Sequence, residues 1–424
     1  MRDVELLMPA GNLEKLEYAI KYGANAVYLG VVDFSLRAMR KGEIITLENL
    51  KSAIDLAHQL GAKAYLTLNI FAFNNDIKLL ESSIEKLKES NPDAVIVSDF
   101  GVINIVKKYM PDTPLHISTQ TNTLNYESVK FWRDFGASRV ILARELAIKD
   151  IAEIRKQVPD IELESFIHGS QCVSFSGRCL LSDYFTNGER KANHGNCSQP
   201  CRWSYKLVES TRPDQYYEIN QDERGSHILS PKDLCLVEHL KELIDAGVDS
   251  LKVEGRTKSL YYVSAVSKTY RNALDELKQN PNADMHKYFI ELQKVGNRGY
   301  TTGFALGENT PDSYSYNISK GLAGADFLFE FHGKTDDSYL VKIKNKVLLN
   351  GEIEIITPSE QFTTKITEIK NKDGEEQPLG NTNDDVYLKF EQGPKDYKYA
   401  LARTVGVKEY VSKAWLQFKK HLWN

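Results

Sequence analysis

Residues 21–30, KYGANAVYLG, pack a helix end, a turn and a strand into one short stretch. Gly23 stops the helix, and the turn behind it feeds the apolar run Ala26–Leu29. The junction recurs as SNPDAVIVSD (90–99), DFGASRVILA (134–143) and DAGVDSLKVE (245–254). In each, a Gly or Pro ends a helix and a short turn leads into the next strand. The result is a weak internal repeat of βα units, each about 25–30 residues long.

Outward from these junctions, four more runs continue the alternation: Glu5–Met8, Lys63–Leu68, Leu115–Ser118 and Glu162–Ile167. With Ala26–Leu29, Ala94–Val97, Arg139–Leu142 and Ser250–Val253 they make eight expected strands. Short, wholly apolar runs suit a parallel sheet covered on both faces. The segments between them carry apolar residues at helical spacing, as in Leu50, Ile54, Leu56, Ala57 and Leu60. The pattern predicts an α/β fold, a TIM-like (β/α)₈ barrel. A doubly wound open sheet would want a glycine-rich phosphate loop after the first strand, and PAGNLEKL (9–16) holds a single Gly.

Barrels do their chemistry at the loops that follow the strands. Polar residues gather there: Pro9–Gly11, Gly30, Asn69, Ser98–Asp99, Gln120, Arg144–Glu145, His168–Gly169 and Glu254–Arg256. Any strand ends in polar turn residues, but HGSQC after the seventh run and KVEGR at the eighth exceed that background. Arg144, Glu145, His168, Glu254 and Arg256 are therefore the candidate catalytic or cosubstrate-binding residues.

Between those two runs lies a cysteine-rich insertion, residues 164–230. It holds four of the chain's five cysteines, Cys172, Cys179, Cys197 and Cys201, separated by six, seventeen and three residues. Four thiols gathered in a Cys-poor chain suggest one soft-metal site. Cys197 and Cys201 would suit a zinc knuckle, whereas the wider first pair favours a [4Fe–4S] cluster; spacing alone leaves both open. Arg178 and Arg202 are placed to offset thiolate charge. A cysteine nucleophile paired with His168 or His194 would leave the clustering of the other thiols unexplained. Beyond a polar stretch, 209–225, a helix is expected with Ser230 as N-cap, Pro231 at its first position and Asp233 in its first turn.

From residue 321 the apolar period switches to two. Phe327–His332, Tyr339–Asn345, Gly351–Thr357, Phe362–Lys370, Asp385–Phe390 and Ala400–Val405 predict a small antiparallel β-barrel. The domains are thus expected at 1–320 and 321–424, the second ending in a basic, aromatic tail, 407–424.

Net charge is -4 with 42% hydrophobic residues, so a nucleic-acid surface would have to be local. The candidates are Arg37–Lys41 and the C-terminal domain. No leader-like pattern and no long apolar run is present, which predicts a cytoplasmic protein without a membrane partner. Metalloprotease HExxH, G-x-S-x-G and P-loop signatures are missing from the sequence.

The segments ESFIHGSQCVSFSGRCLLSDYF and GNCSQPCRWSY resemble the signature of the collagenase-like peptidase family of unknown catalytic type. LMPAGNLEKLEYAIKYGANAVYLG, ISTQTNTLN, RVILAREL, SLKVEGRTKS and NRGYTTGF extend the resemblance along nearly the whole chain, and it is strongest to the tRNA hydroxylation branch. The resemblance implies a barrel core, a [4Fe–4S] cluster on Cys172, Cys179, Cys197 and Cys201, and an enzyme that makes 5-hydroxyuridine at the tRNA wobble position with prephenate as cosubstrate. In a sister branch the fourth ligand lies further downstream, which makes Cys235 the alternative to Cys201. tRNA and a small dicarboxylate are the implied partners, and homo- or hetero-oligomerisation with a paralogue stays open. Two other readings remain: a peptidase, and a non-enzymatic metal-containing scaffold that binds tRNA.

Overall fold

The computed structural model describes residues 2–32, 34–35, 44–172, 174, 179, 181–187, 189–190, 197–202, 221–222, 225–226, 231–307, 313 and 322–408. All eight expected strands form: β1 (Glu5–Pro9), β2 (Ala26–Leu29), β3 (Lys63–Leu68), β4 (Ala94–Val97), β5 (Leu115–Ile117), β6 (Arg139–Ile141), β7 (Glu162–Ser170) and β8 (Ser250–Val253). Each runs parallel to its neighbours, and β8 pairs with both β7 and β1, which closes the barrel. Helices α1 (Leu13–Lys21), α2 (Leu50–Gln59), α3 (Asn74–Glu89), α4 (Phe100–Tyr109), α5 (Tyr126–Phe135) and α6 (Ile148–Gln157) cover the first strands. Caps fix their starts: Asn12 accepts from Lys15 N, Asp99 from Gly101 N and Val102 N, and Asn125 from Ser128 N. The closing helix is Leu260–Gln279, almost wholly buried along its first half.

The lumen of this barrel is charged. Arg139 reaches Glu5 Oε1 at 2.6 Å, Glu162 Oε2 at 2.8 Å and Glu164 Oε2 at 3.0 Å. Lys252 donates to the other oxygen of Glu164 at 2.7 Å, and Glu5 also accepts from Tyr65 and Ser250. Glu164, Arg139 and Lys252 are all buried. Burial works against the Glu5 carboxylate, yet the Arg139 guanidinium outweighs it and holds Glu5 below its ordinary value.

Two expectations fail between β7 and β8. The seventh strand runs on to Ser170, so His168 and Gly169 lie in the strand rather than after it. The helix expected from Pro231 with Asp233 in its first turn is instead a short strand, Asp233–Cys235, antiparallel to the end of β7 and parallel to Tyr300–Thr301. Helix Leu240–Asp245 comes later. The cause is tertiary: Asp233 is buried, bonded to Arg298 and 3.7 Å from Lys258, which an N-terminal helical turn would not permit. Ser230, Arg37–Lys41, Arg178, His194, the side chain of Arg202, most of 203–230 and the tail from 409 onward lie outside the described residues.

A second closed barrel follows, made of β9 (Phe327–Thr335), β10 (Ser338–Ile343), β11 (Glu352–Ile356), β12 (Gln361–Lys370), β13 (Asp385–Phe390) and β14 (Leu401–Thr404). Its order is β9-β10-β13-β12-β11-β14, with β14 returning to β9. Phe329, Val341, Ile355, Ile366 and Leu388 fill its interior. The two barrels are locked together by Arg403, fully buried, which donates to Glu354 at 2.7 Å, to Tyr261 Oη at 3.2 Å and to Glu291. Tyr22 Oη adds bonds to Tyr399 O at 2.6 Å and Ile356 O at 3.0 Å.

Two outcomes are expected. Arg139→Ala removes the cation shared by Glu5 and the buried Glu164, leaving Glu164 with Lys252 alone, and should lower unfolding free energy by about 3–5 kcal/mol in urea titrations. Arg403→Ala should uncouple the barrels, splitting one calorimetric transition into two. Burial alone would raise Glu354, but Arg403 holds it down to about 2 from an ordinary 4.5. The contribution of this contact is therefore complete above pH 4.5 and drains away as pH falls toward 2.

Candidate functional site

The carboxyl ends of β6, β7 and β8 converge on one cluster. Arg144, in the turn after β6, donates to Ser170 O at 3.0 Å and stands 3.6 Å from the Glu254 carboxylate. Its guanidinium lies flat over Phe166, 3.8 Å from the ring centroid. Gly169 makes this closeness possible. Its φ is +103°, and a Cβ there would sit 2.4 Å from the carbonyl oxygen of Glu254. Glu145 is half-buried in the same turn as Arg144.

Arg256 is also at the mouth but is anchored on the opposite wall. It donates to Ser35 Oγ at 2.6 Å and Thr67 Oγ1 at 2.9 Å, and is buried. Gly30 leaves the room: a Cβ there would fall 2.2 Å from Thr67 Oγ1 and 2.3 Å from Ser35 Oγ. Below them, Lys252 sits 4.5 Å from the Tyr28 ring centroid and carries the lumen charges up toward the mouth. Burial pushes its ammonium below the usual lysine range, and Glu164 opposes that shift.

His168 does not join this cluster. The pairing of β7 with β8 slips between Lys252 and Val253, which reverses the alternation at that point. The imidazole therefore packs among Tyr262 and Tyr270 of the closing helix and Tyr300, with Nδ1 3.2 Å from Tyr270 Oη. Burial drives it down to about 3, so it is neutral across the physiological range. Strand pairing sets Cys235 opposite His168. Burial pushes the Cys235 thiol up to about 12, 3.9 Å from Tyr270 Oη. A thiol held up and an imidazole held down are the reverse of an activated Cys–His pair.

The other four thiols belong to the insertion. Cys172 follows two residues after β7, half-buried like Cys179 and Cys201, while Cys197 is exposed. Ser182 ties both halves of the segment together: its hydroxyl accepts from Ser198 N at 2.9 Å and donates to Arg190 O at 2.6 Å. Two sulfurs already accept backbone N–H groups, Cys179 from Leu181 at 3.4 Å and Cys197 from Gln199 at 3.3 Å. Among the described residues no three His, Cys, Asp or Glu side chains converge closely enough to hold a metal ion. In donor chemistry the four insertion thiols suit a soft metal, and the environment of Cys235 does not.

Sequence reading flagged Lys252 only as one of the charges of KVEGR and missed Glu164, Ser35 and Thr67. A signal existed for the first two: a charge set inside an apolar strand, as in SLKV and ELES, has to find a buried partner. The hydroxyls carried none.

Comparison with known proteins places the chain. The model of peptidase family U32 matches residues 11–314, and that of its C-terminal domain matches residues 325–403. The tRNA hydroxylation protein P of Haemophilus influenzae is 38% identical over 418 residues, covering 88% of this chain and 89% of its own. An uncharacterized protease of Methanocaldococcus jannaschii is 41% identical, covering 83% of this chain and 82% of its own. The 23S rRNA 5-hydroxycytidine synthase of Escherichia coli is 35% identical, covering 76% of this chain and 46% of its own.

A neutral His168 is directly measurable. Nitrogen NMR of the imidazole should show no protonation between pH 8 and 4. The sign for stability follows: below pH 6.5 the unfolded chain takes up a proton that folded His168 refuses, so acidification toward 3 destabilises the fold.

Proposed function

Because the chain belongs to peptidase family U32, some of whose relatives are named for RNA hydroxylation, we propose that it is an enzyme that hydroxylates uridine in tRNA, at the wobble position. The observation that carries this reading is the 38% identity to a tRNA hydroxylation protein across nearly the full length of both chains. The two family models match the chain on both sides of the domain boundary, at residues 11–314 and 325–403.

In this reading Cys172, Cys179, Cys197 and Cys201 hold a [4Fe–4S] cluster, which supplies one-electron redox chemistry at the barrel mouth when bound. Zinc is the alternative occupant of the same donor set. The buried surroundings of Cys235 support Cys201 as the fourth ligand.

The remaining work falls to the chain's own side chains. Arg144, oriented by Ser170 O and Glu254, presents a fixed guanidinium to an anion. Arg256, oriented by Ser35 and Thr67, presents a second from the far wall. Two cations on opposite sides of a mouth suit a dicarboxylate, which supports prephenate as cosubstrate. The target base has to leave its stack to reach this depth. Glu254 keeps Arg144 from swinging out when the mouth is empty. Glu145 lines the same turn and is the other carboxylate within reach of substrate.

A peptidase reading draws on the family's name and on the archaeal relative. The buried, mutually unsuited Cys235 and His168 argue against a thiol mechanism at that pair.

Nucleoside mass spectrometry of tRNA from cells lacking the gene tests the function. 5-Hydroxyuridine derivatives should vanish and return on complementation; unchanged levels, with paralogues also deleted, would refute the reading. Protein purified without oxygen should carry about four irons and four sulfides per chain. Cys201→Ala should lose them, whereas Cys235→Ala should keep them. Stoichiometric zinc without iron would replace the cluster assignment.

A further inference from the structure

The loop after β5 carries a polar group that the fold does not explain. Thr119–Thr121 form one turn of 3-10 helix at the carboxyl end of that strand, and Asn122 ends it at φ +54°, ψ +47°. Glycine and asparagine take such a left-handed backbone most readily. Glycine would meet the backbone requirement alone, so the carboxamide of Asn122 needs its own reason. Its Oδ1 is buried, and among the described residues nothing donates to it. A buried acceptor without a donor destabilises the state that buries it.

The backbone on either side is tied down. Thr121 Oγ1 donates to Ser118 O at 2.9 Å and lies 3.0 Å from Thr123 Oγ1. Thr119 Oγ1 donates to Leu142 O at 3.1 Å, and Ala143 N donates to Thr123 O at 3.1 Å. Leu142 and Ala143 lead directly into Arg144. Asn122 is thus held between two anchors on the loop that Arg144 follows, at the same end of the barrel as the mouth. A support this rigid suits a group that has to be in place before its ligand arrives.

The chemistry of the amide selects the ligand. Oδ1 needs a hydrogen-bond donor, and Nδ2 of the same group offers one in return. An ionised carboxylate has no hydrogen to give, so the anion suited to Arg144 and Arg256 leaves Oδ1 unmet. The edge of a uracil meets both halves, because N3–H donates and O4 accepts. Enzymes that extrude a base commonly hold it by this Watson–Crick edge. Gripped there, a uracil keeps its C5–C6 edge free for reaction at C5.

We propose that Asn122 holds the Watson–Crick edge of the target uracil, with Oδ1 accepting from N3–H and Nδ2 donating to O4. The inference rests on the uridine-hydroxylating reading above and adds to it the group that orients the base.

Cells lacking the gene and its paralogues, complemented with the full chain at limiting expression, test it by nucleoside mass spectrometry of tRNA. Wild type should restore 5-hydroxyuridine derivatives. Asn122→Gly keeps the left-handed backbone and removes only the amide; it should cut the modified fraction by about tenfold or more. The purified variant should melt no lower than wild type, because the unpaired buried oxygen is gone. Asn122→Asp still accepts from N3–H but sets a negative charge against O4, and should lose the modification as well. A wild-type modified fraction in either variant overturns the inference. So does a loss in Asn122→Gly accompanied by a lower melting temperature, which would assign the side chain to the fold. A wild-type chain that restores nothing removes the hydroxylation reading itself, and this assignment with it.

Discussion

Glu164 is a carboxylate with no solvent exposure, and the barrel is arranged to keep it paired. An ionised group at that depth is tolerated only when its partners are fixed and close. Its partners are Arg139 and Lys252, and Arg139 passes the charge on to Glu5. The four residues stand on β7, β6, β8 and β1, the strands where the end of the chain's barrel meets its beginning. A one-residue slip at this seam would turn each charge into an apolar layer. The ion chain therefore fixes the register at which the barrel closes, and with it the height of every residue at the mouth.

From that fixed register the upper part of β7 departs. Between Phe166 and His168 the strand gains a residue relative to β8, and the alternation that points Glu164 and Phe166 inward is reversed. His168 moves out against the tyrosines of the closing helix, and the strand has length left to pair with Asp233–Cys235. The insertion thus leaves the barrel beside Arg144 and Glu254, with Cys172 just past the last strand residue. One irregularity removes a histidine from the mouth and delivers a cysteine to its edge.

The second barrel uses the same device at an interface. Arg403 is buried between Glu354 of its own domain and Glu291 and Tyr261 of the first, and Lys268 reaches across to the carbonyls of Thr357 and Glu360. Polar locks of this kind demand correct geometry and tolerate no half-formed docking. The domain is thereby held against the closing helix, on the outer side of the wall that also buries His168.

Much of this was legible in the chain. Four βα junctions and four further apolar runs named all eight strands because a buried parallel strand is mainly apolar, and the period-two runs after 321 named the second barrel because one face of each strand stays wet. Arg144, Glu254 and Arg256 were legible as polar residues where a barrel does its chemistry, and the structure brings Arg144 and Glu254 together there. Three things were not. Asp233–Cys235 has the local signals of a helix start, and only the buried partners of Asp233 make it a strand. His168 has the parity of a mouth residue, and only the slip against β8 turns it away. Glu164, Ser35 and Thr67 joined the candidate site through contacts 88 to 221 positions apart in the chain. Sequence sets what each segment prefers over a few residues. Register, bulges and the pairing of buried charges are decided only when distant strands meet, because that is when an unpartnered charge or hydroxyl first loses its water.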